Sequence, residues 1–512
     1  MSVCPTAAQI QSLVAPLFSG MTEYVAQVLS EAAEQGSFDL AVFESELLSL
    51  IHAVGRCIMV LVLESLDPSE RRLVTEDGVL TRCVESWLSC LTRFGEVRVR
   101  HGLYRPSGRN PESCSLVSQR AGLVADYFTP AAARLALLVL ADSTLRDSSR
   151  TCQEAGMAVS ATSLRHLLTH SSSLWEADRE LYEALLREVE SVPESAQTVA
   201  MSVDGVMALV RASQGEVSVT GEQNDAQNAT EVGATHSKRK IEKTVGKPVG
   251  KTVSYRELGC ATVALYDAAG ERLRTTYYGR MPEERKGTLG QQAFEEMKHI
   301  ELCRPGLRRV YLCDGAEVNW RMAAALEEQL RQLNSEGAEP VWESIQIVDF
   351  FHACEHLKRA VVAIFGENSP RGERYYQDQK YCLRHFDGGV GQLWRSLKYH
   401  LRHTKGEARK RLRAEITYFW NQWERMDYVR YERLNLPIGS GVVEAACKTL
   451  VTSRMKRSGM RWGKEGGQAI LNLRAWLRSG RFDTAWSILA HASQNNSTAL
   501  NTYQAPRLKL VA

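Results

Sequence analysis

The sequence predicts an α/β domain with a mixed β-sheet, and three observations lead to that fold class. From residue 254 onward, strand-like runs alternate with amphipathic helical runs. Two of the strand-like runs are joined by the short segment AAGE, which is typical of a hairpin and therefore of antiparallel neighbours. The later strands are separated by helices, which favours parallel neighbours. Together these features predict one sheet with strands of both directions.

The elements of this domain follow in chain order. The first strand is MSVDGVMALV, at residues 201–210. Residues 221–252 contain no aromatic residue and few large apolar ones, so we expect a flexible insertion between the first two strands. The later elements are the strands SYRELGCATVALYD and ERLRTTYYGRM, a helix over Gly290–Cys303, the strand RRVYLCDG, the helix NWRMAAALEEQLRQL, the strand ESIQIVDF and a helix beginning at HACEHL.

Residues 1–190 are predicted to form a mostly helical N-terminal region. Apolar residues recur at helical spacing over residues 8–65, and the same spacing returns from Pro130, where proline suits a first helical turn. Between these segments, GEVRVRHGLYR at 95–105 alternates like a strand.

Residues 148–172 of this region resemble a helix-turn-helix. A short helix precedes a turn at Gly156, and a capping Ser160 begins a second helix that carries Arg165. Two ordinary packed helices give the same pattern, and the sequence leaves both interpretations open.

Length and composition limit the class of protein. A chain of 512 residues is too long for one ordinary core, and 44% hydrophobic with 24% charged residues is typical of soluble globular proteins. No run of about 18 apolar residues and no signal peptide is evident, so we expect no membrane association. The 12 cysteines include no CxxC pair, which favours a reducing cytoplasm over a disulfide framework.

The net charge of +3 conceals two strongly basic stretches. Residues 393–413 contain eight Lys or Arg and one acidic residue, and residues 448–481 contain nine and one. The rest of the chain is therefore acidic. Concentrated positive charge of this kind favours a polyanionic partner, although solvated helix faces can have the same composition.

Three of the predicted strands are expected to end in an aspartate: SVDG gives Asp204, LCDG gives Asp314, and IVDFFH gives Asp349 with His352. An ionised carboxylate is seldom buried without a partner. Functional groups of open α/β sheets collect at strand ends, and carboxylates that converge there repel one another unless a divalent cation is bound. Asp204 is therefore interpreted as a metal ligand.

A further carboxylate is Glu444, in the sequence GSGVVEAAC. Gly439 to Gly441 are predicted to form a turn with Ser440 as a helix N-cap, and Glu444 falls in the first helical turn. An acid in that position often only complements the helix dipole. Its apolar neighbours Val443 and Cys447, however, suggest that this turn faces the protein.

These motifs, in this order, resemble the DDE transposases of bacterial insertion sequences, in particular a Kra-type family allied to the Mutator-like group. The motifs are Asp204-Gly, Asp314-Gly-Ala, Asp349-x-x-His352 and Gly-Ser-Gly-x-x-Glu444, together with YREL, YYGRM, VDFFHACEHL and SRMKRSGMRW. The resemblance covers residues 195–480 and, more loosely, the N-terminal half. Relatives often carry a CxxC-bearing knuckle after the FGEVRV strand, whereas this chain has only Cys114 there.

The resemblance implies a ribonuclease-H-like catalytic domain made of residues 195–352 and 438–485. It also implies a helical insertion before the glutamate, at 353–437, and leaves 486–512 as a C-terminal tail. Asp204, Asp314 and Glu444 would be the acidic triad that holds Mg²⁺ or Mn²⁺, with Asp349 and His352 near the site. The implied partners are the element's terminal inverted repeats and target DNA, and a second copy of the chain when DNA is bound.

Five basic residues are predicted to contact DNA. Four of them follow the glutamate, and one lies on the second helix of the helix-turn-helix-like segment. They are Arg454, Lys456, Arg457, Arg461 and Arg165. Because phosphate contacts release counterions, binding through them would depend strongly on salt.

Two further patterns have weaker functional interpretations. His352, His356, Cys382 and His385 could together bind zinc, but the spacing is not that of a standard finger, and zinc is not expected. Trp394, Trp420 and Trp423 are interpreted as core residues of the insertion, with base stacking as the alternative.

Three other functions remain open from the sequence. The first is a domesticated DNA-binding protein of the same fold without catalysis, and the second is a nuclease or resolvase. A structural protein that only binds metal through its acids is the third, and the two basic stretches argue against it.

Overall fold

The computed structural model describes residues 6–68, 70–75, 78–107, 112–211, 253–334 and 344–495. The flexible insertion predicted at 221–252 lies outside these residues, and so does the end of the predicted tail, 496–512. The described part of the chain is a mixed α/β protein with two β-sheets. The expected α/β class is therefore confirmed at this level.

The N-terminal region contains a four-stranded antiparallel sheet between helical segments. The sequence predicted only its third strand. The long second strand was missed because its polar and apolar residues do not alternate regularly. The elements are α1 (Ala7–Gln35), α2 (Leu40–Ser65), β1 (Arg72–Thr75), β2 (Gly78–Thr92), β3 (Gly95–Pro106), β4 (Cys114–Ser115), α3 (Leu116–Arg120), α4 (Pro130–Asp142), α5 (Leu145–Glu154), α6 (Ala161–Ala177) and α7 (Arg179–Glu188).

Helix α2 is long and apolar enough to cross a membrane by length and composition, which was not expected from the sequence. Only 11% of its most apolar window is buried. Its C-terminal half nevertheless packs on the N-terminal sheet, where Arg56 donates from Nη1 to the Phe94 carbonyl oxygen at 2.9 Å and Leu63 is buried. The helix is therefore a packed element of the N-terminal region that leaves an apolar face exposed.

The central sheet has five strands, and the predicted hairpin and strand–helix alternation are both present. The elements are β5 (Thr198–Arg211), β6 (Val253–Tyr266), β7 (Arg272–Arg280), α8 (Gly287–Cys303), β8 (Arg308–Cys313), α9 (Glu317–Asn334), β9 (Ile345–Val348) and α10 (Phe350–Phe365). The strand order is β7-β6-β5-β8-β9. β5, β6 and β7 are antiparallel neighbours, whereas β8 runs parallel to both β5 and β9. The sheet is therefore mixed.

The predicted insertion is helical and packs against the central domain into which it is inserted. Its helices after α10 are α11 (Pro370–His385), α12 (Gly389–His403), α13 (Gly406–Asn421) and α14 (Tyr428–Arg433). Apolar residues of these helices join those of the central sheet, α8, α9 and α10 in one continuous core. The insertion is therefore held firmly beside the ends of the sheet strands.

The last helices of the described chain return to the central sheet and the N-terminal helices. They are α15 (Gly441–Ala446), a π-helical segment (Cys447–Thr452), α16 (Ser453–Met455), α17 (Lys464–Arg478) and α18 (Phe482–Asn495). Together with α4 to α7 they form a second core, so the N-terminal helices do not stand apart as an independent domain.

One predicted boundary is wrong. Residues 486–495 were assigned to a C-terminal tail, but they continue helix α18. Trp486 and Leu489 lie three residues apart on one helical face and are buried in the second core. A short helix of this kind gives little sequence signal, because its stability comes from the surface against which it packs.

Candidate active site

Asp204 and Asp314 belong to neighbouring parallel strands of the central sheet. Ser202 of β5 and Leu312 of β8 are the last pair of the parallel ladder, and Asp204 and Asp314 each follow two residues after that pair. Neighbouring strands are about 4.8 Å apart. Both aspartates are half-buried at this edge, where the pairing of the two strands ends. Both residues therefore follow the end of the same parallel ladder, although the sequence separates them widely.

Asp349 continues the same line on the next strand. Cys313 of β8 is opposite Val348 of β9, so the residues that follow them are Asp314 and Asp349. The backbone N–H of Asp349 donates to the Cys313 carbonyl oxygen at 2.8 Å. Asp314 and Asp349 thus follow the ends of β8 and β9, whereas the prediction that Asp204 ends its strand is wrong, because β5 continues through Asp204 to Arg211.

Asp349 differs from the other two because it is completely buried. One of its carboxylate oxygens accepts from the backbone N–H of His352 at 2.7 Å, as a helix N-cap, and the other accepts from the backbone N–H of Ser440. The backbone N–H of Phe350 donates to the Ile438 carbonyl oxygen at 2.9 Å. Asp349 is therefore a positioning residue that ties the start of α10 to the turn before α15.

Cys447, at the start of the π-helical segment after α15, contacts Asp204. The Cys447 thiol donates to Asp204 Oδ2 at 3.4 Å, and the backbone N–H of Gly205 donates to Oδ1 at 2.7 Å. Cys260 is opposite Asp204 on β6. Hydrogen bonding with the Cys260 thiol, then burial and the nearby Asp204 carboxylate, raise the pKa of Cys447. The Cys447 thiol therefore remains protonated and able to donate.

Glu444 lies one helical turn before Cys447 on the segment that packs against β5 and β6. Residues three apart on a helix are neighbours, with Cβ atoms about 5–6 Å apart. Val443 and Cys447 are buried, as expected from the sequence, whereas Glu444 is exposed and accepts from Ser440 Oγ at 2.9 Å. Glu444 is thus one turn away from the residue that contacts Asp204, but its carboxylate is turned toward Ser440 at the start of α15.

Asp314 begins the turn into α9 and is supported by the insertion. Its Oδ1 accepts from the backbone N–H of Ala316 at 2.9 Å and from Asn319 Nδ2 at 3.0 Å. The Tyr418 hydroxyl of α13 donates to the Asp314 carbonyl oxygen at 3.2 Å. Gly315 has a φ of +99°, and a Cβ there would lie 3.1 Å from the Tyr418 ring. Glycine is therefore required by both the turn and the close approach of the insertion.

The donor set suits a hard divalent cation, although the side chains are not gathered around one point. Asp204, Asp314 and Glu444 offer carboxylate oxygens, which Mg²⁺ and Mn²⁺ prefer. Among the described residues, no three His, Cys, Asp or Glu side chains are grouped closely enough to hold a metal ion. Each of the three carboxylates instead accepts local hydrogen bonds. Convergence within about 4–8 Å, the span of a two-ion cluster, stays a prediction.

His352 and His356 lie in the first two turns of α10, after Asp349 and at the start of the predicted insertion. The His356 ring stacks on Tyr418 with 3.4 Å between ring centroids, and its Nδ1 is 2.6 Å from Glu415 Oε2. Burial lowers the pKa of His356, although the hydrogen bond to Glu415 opposes this. His352 is one third exposed and lies 3.6 Å from the Glu355 carboxylate. The two histidines therefore take part in the packing of α10 against α13.

The other residues of the zinc interpretation are engaged separately. Cys382 is buried, and its Sγ donates to Gln392 Oε1 at 3.2 Å. The exposed His385 ring lies 4.5 Å from the Tyr381 ring, between centroids.

The prediction that Arg454 contacts DNA is wrong. The side chain was expected to contact DNA phosphate, but it is only 2% exposed and its guanidinium lies 5.2 Å from the Trp462 ring centroid. Burial, with Arg457 and Arg474 nearby, lowers its pKa to about 10. The helical run that contains Arg454 turns this residue inward, which local composition does not reveal.

The remaining predicted DNA contacts are on the surface. Lys456, Arg457 and Arg461 are exposed beyond the end of α16, and Arg165 is exposed on α6. The Arg457 guanidinium donates to the carbonyl oxygens of Ser453 and Asp142 at 2.8 Å and 3.2 Å.

The two basic stretches differ in the structure. Within 448–481, Arg474 and Arg481 are also buried, the first paired with Asp142 and the second with Glu190 and Glu296. Within 393–413, on α12 and α13, seven of the eight basic residues are exposed. The insertion therefore presents the denser positive surface, although both stretches look alike in composition.

The tryptophans of the insertion form a cluster on the side of α13 away from Tyr418. The rings of Trp394 and Trp420 are 5.1 Å apart between centroids, and Lys398 Nζ lies 3.8 Å from the Trp394 centroid. Trp420 is 58% exposed. The core interpretation therefore fits Trp394 better than Trp420.

The helix-turn-helix-like segment consists of two helices, as predicted. Gly156 has a φ of +78° in the turn, and Ser160 Oγ accepts from the backbone N–H of Ser163 at 3.0 Å. Helix α6 packs its apolar face on α17, where Trp175 and Trp476 lie 4.5 Å apart between ring centroids. Both a packing role and a DNA-contact role remain compatible with this arrangement.

Sequence reasoning missed the roles of Cys447, Tyr418 and Glu415. Cys447 was noted only as an apolar neighbour of Glu444, and the other two lie in the insertion without a motif. Their partners are far away in the chain, so no local pattern could have identified them.

Comparison with models of known protein families finds no match, and no curated protein of known function matches the chain.

Proposed function

We propose that this chain is a DDE transposase of a bacterial insertion sequence with a ribonuclease-H-like catalytic domain. It would cleave DNA at the terminal inverted repeats of its own element and join those ends to target DNA. The observation that carries the proposal is the register of β5 and β8, whose last pair, Ser202 and Leu312, lies two residues before Asp204 and Asp314. The bond from Cys447 to Asp204 supports the assignment of Glu444 to the same site.

The three acids would hold Mg²⁺ or Mn²⁺, since their oxygens are hard donors at an accessible edge of the sheet. Two such ions, about 3.5–4 Å apart, supply an activated oxygen nucleophile and a stabilised leaving oxygen for phosphodiester chemistry. The surrounding residues orient the acids. Asp349 fixes the turn before Glu444, and Tyr418 fixes the backbone at Asp314.

The exposed cations would hold the DNA. Lys456, Arg457, Arg461 and the basic surface of α12 and α13 can neutralise phosphates without reading sequence. Such an enzyme would act in the bacterial cytoplasm, on the chromosome. Recognition of the inverted repeats would require base contacts, for which Arg165 on α6 is the candidate.

The test compares Asp204→Asn and Asp314→Asn with the unmodified protein. The substrate is an oligonucleotide bearing an inverted repeat found in the DNA that flanks the reading frame. We expect cleavage and strand transfer with Mg²⁺ to fall about a thousand-fold, equivalent to about 4 kcal/mol, with DNA binding retained at fixed salt. Asp267→Asn is the matched control. Asp267 lies in the turn between β6 and β7, about 20 Å along β6 from the residue opposite Asp204.

Each outcome separates the candidate functions. Full cleavage by Asp204→Asn would exclude this catalytic site. Specific binding without cleavage by the unmodified protein would favour the DNA-binding protein of the same fold. Cleavage without joining would favour a nuclease or resolvase.

A further inference from the structure

Trp420 is a large aromatic residue that the insertion leaves in solvent. It lies near the end of α13 and is 58% exposed, whereas Trp394 and Trp423 beside it pack against the core of the central domain. An enclosed tryptophan removes about 150–250 Å² of its surface from water, and an exposed one gives up much of that stabilisation. Packing therefore explains the positions of Trp394 and Trp423 but not that of Trp420.

The neighbouring rings hold the Trp420 ring in one orientation. Trp394 lies 5.1 Å from it between centroids, with 30° between the ring planes, and Trp423 meets both rings nearly edge-on at 5.9 Å and 6.0 Å. Gly391 allows α12 to approach this closely, because a Cβ there would lie 2.8 Å from the Trp423 ring. Trp394 and Trp420 therefore form a rigid aromatic surface, the tryptophan platform.

The end of α13 that carries the platform is fixed to the candidate active site. The Tyr418 hydroxyl donates to the Asp314 carbonyl oxygen at 3.2 Å, and Gln422 Nε2 donates to the Gly315 carbonyl oxygen at 3.0 Å. Trp420 follows Tyr418 by two residues, which turns it about 200° around the helix to the opposite side. The platform is therefore held on the order of 10 Å, one helix diameter, from the Asp314 backbone.

Exposed cations continue from the platform along α12 and α13. Lys398 Nζ lies 3.8 Å from the Trp394 centroid, and Arg402 follows Lys398 by four residues, about 6 Å further along the same side of α12. Arg413 precedes Trp420 by seven residues, which places both on one side of α13. The three cations are exposed, and none of them forms an ion pair within the described chain. They are therefore available to an anionic partner.

The combination of a flat aromatic face and a row of cations matches nucleotides that are not base-paired. Each unpaired base offers a π face for stacking and each nucleotide offers a phosphate, and such stacking tolerates every base. In a duplex the base faces are already stacked on one another, so paired DNA engages only the cations. An acidic protein segment likewise engages the cations and leaves the flat ring unused.

We propose that the tryptophan platform binds unpaired nucleotides of single-stranded DNA, with the cations of α12 and α13 holding the phosphates. The choice of DNA rests on the proposed function, because opening a strand at the cleaved end supplies unpaired nucleotides beside Asp314. The binding itself requires neither a divalent cation nor cleavage. It adds a single-stranded partner to the duplex ends and target on which the catalytic site would act.

The test measures binding of a fluorescein-labelled oligodeoxythymidine of about 15 nucleotides to the full chain, by anisotropy at fixed salt without metal. Trp420→Ala should weaken this binding about tenfold, because the stacking of one base is lost. Trp420→Phe keeps a π face and should retain most of the affinity. Trp420→Leu keeps only an apolar side chain and should bind as weakly as Trp420→Ala. Affinity for a duplex should change less than about twofold in all three variants.

The matched control is Tyr381→Ala on α11, where an aromatic ring is 59% exposed outside the platform, and it should bind the single strand like the unmodified protein. Circular dichroism checks that each variant is folded, which the exposed position of Trp420 favours. Asp204→Asn should also bind the single strand normally, so the catalytic proposal and this one can fail separately.

Four results would overturn the proposal. The first is no binding of the single strand by the unmodified protein, and the second is equal binding by Trp420→Ala. The third is tighter binding of a polyglutamate peptide than of the oligonucleotide, which would make an acidic protein segment the partner. An equal loss of affinity for single strand and duplex in Trp420→Ala is the fourth, since it would make the surface a general phosphate site.

Discussion

The thiol of Cys447 donates a hydrogen bond to Oδ2 of Asp204 over 3.4 Å, and this contact joins the Glu444 segment to the central strand of the sheet. The two residues are 243 positions apart. The contact gives a half-buried carboxylate a neutral donor. It also occupies an oxygen that the proposed metal site would use.

The first prediction concerns that shared oxygen. Cys447→Ala removes the donor, so a divalent cation no longer competes with a thiol proton for Asp204 Oδ2. A hydrogen bond of this kind contributes about 1 kcal/mol, and we expect the Mg²⁺ concentration for half-maximal cleavage to fall about fivefold. Cys447→Ser keeps a donor and should behave like the unmodified protein. A Mg²⁺ requirement that is the same in all three proteins would contradict the prediction.

The second prediction concerns the exposed cations after α16. Replacing Lys456, Arg457 and Arg461 by Gln should weaken DNA binding for every sequence tested, because phosphate contacts carry no base information. If all three contact phosphates, the slope of log affinity against log salt should become shallower by about 2.7, at about 0.9 for each contact. Binding is measured by fluorescence anisotropy over a salt series.

The control for this series neutralises three exposed arginines of the N-terminal sheet region, Arg71, Arg72 and Arg105. They give the same change in net charge at a different place. If both triple variants change the slope equally, net charge rather than local contact decides DNA binding.

The third prediction separates two buried arginines. Arg454 has no carboxylate partner within salt-bridge distance in the described residues, and its Nε has no hydrogen-bond acceptor there. Arg454→Met should therefore leave the free energy of unfolding unchanged within about 1 kcal/mol, or raise it. Arg474 pairs with Asp142 and donates to the Thr449 carbonyl oxygen, so Arg474→Met should cost about 2–3 kcal/mol. Thermal and denaturant unfolding of both variants test the contrast, and a larger loss for Arg454→Met would refute it.

The fourth prediction concerns acid stability. Burial lowers the pKa of four histidines, His101, His170, His356 and His400. In the unfolded chain these rings take up protons near pH 6.5, whereas in the folded protein they stay neutral to lower pH. The unfolded state therefore binds more protons in that interval, and the free energy of unfolding should fall as the pH drops from about 7 to 5.5.

His356 allows this pH effect to be localised. His356→Gln keeps a hydrogen-bonding group for Glu415 but does not titrate, so its melting temperature should depend less on pH. The exposed His385 provides the control, and His385→Gln should have the pH dependence of the unmodified protein. An equal slope in all three proteins would place the acid sensitivity elsewhere.

Much of the central domain was predictable because its signals are local. The strand runs, the AAGE hairpin and the intervening helices follow from periodicity and turn residues within a few positions of one another. Asp314 and Asp349 could be identified for the same reason, since each directly follows an apolar strand. The prediction that Asp204 ends its strand was wrong, because pairing with β6 extends β5 to Arg211.

The predictions failed where stability depends on distant packing. β2 and the final turns of α18 have weak patterns of their own and are stabilised by neighbouring elements. Arg454 and Arg457 look equivalent in the sequence, yet one is buried under Trp462 and the other is exposed. Only the path of the chain around the second core distinguishes them.

The sequence by itself determined the strand and helix order of the central domain and the aspartates that follow β8 and β9, because residues close in the chain specify both. The tertiary structure alone decided how these acids are placed relative to their partners. It placed Asp204 and Asp314 two residues beyond the last pair of the β5–β8 ladder, buried Asp349 as a link between α10 and α15, and brought the Cys447 thiol into contact with Asp204. These relations join residues about 90 to 240 positions apart, and a pairing over that distance is fixed only when the sheet and the helices around it have packed.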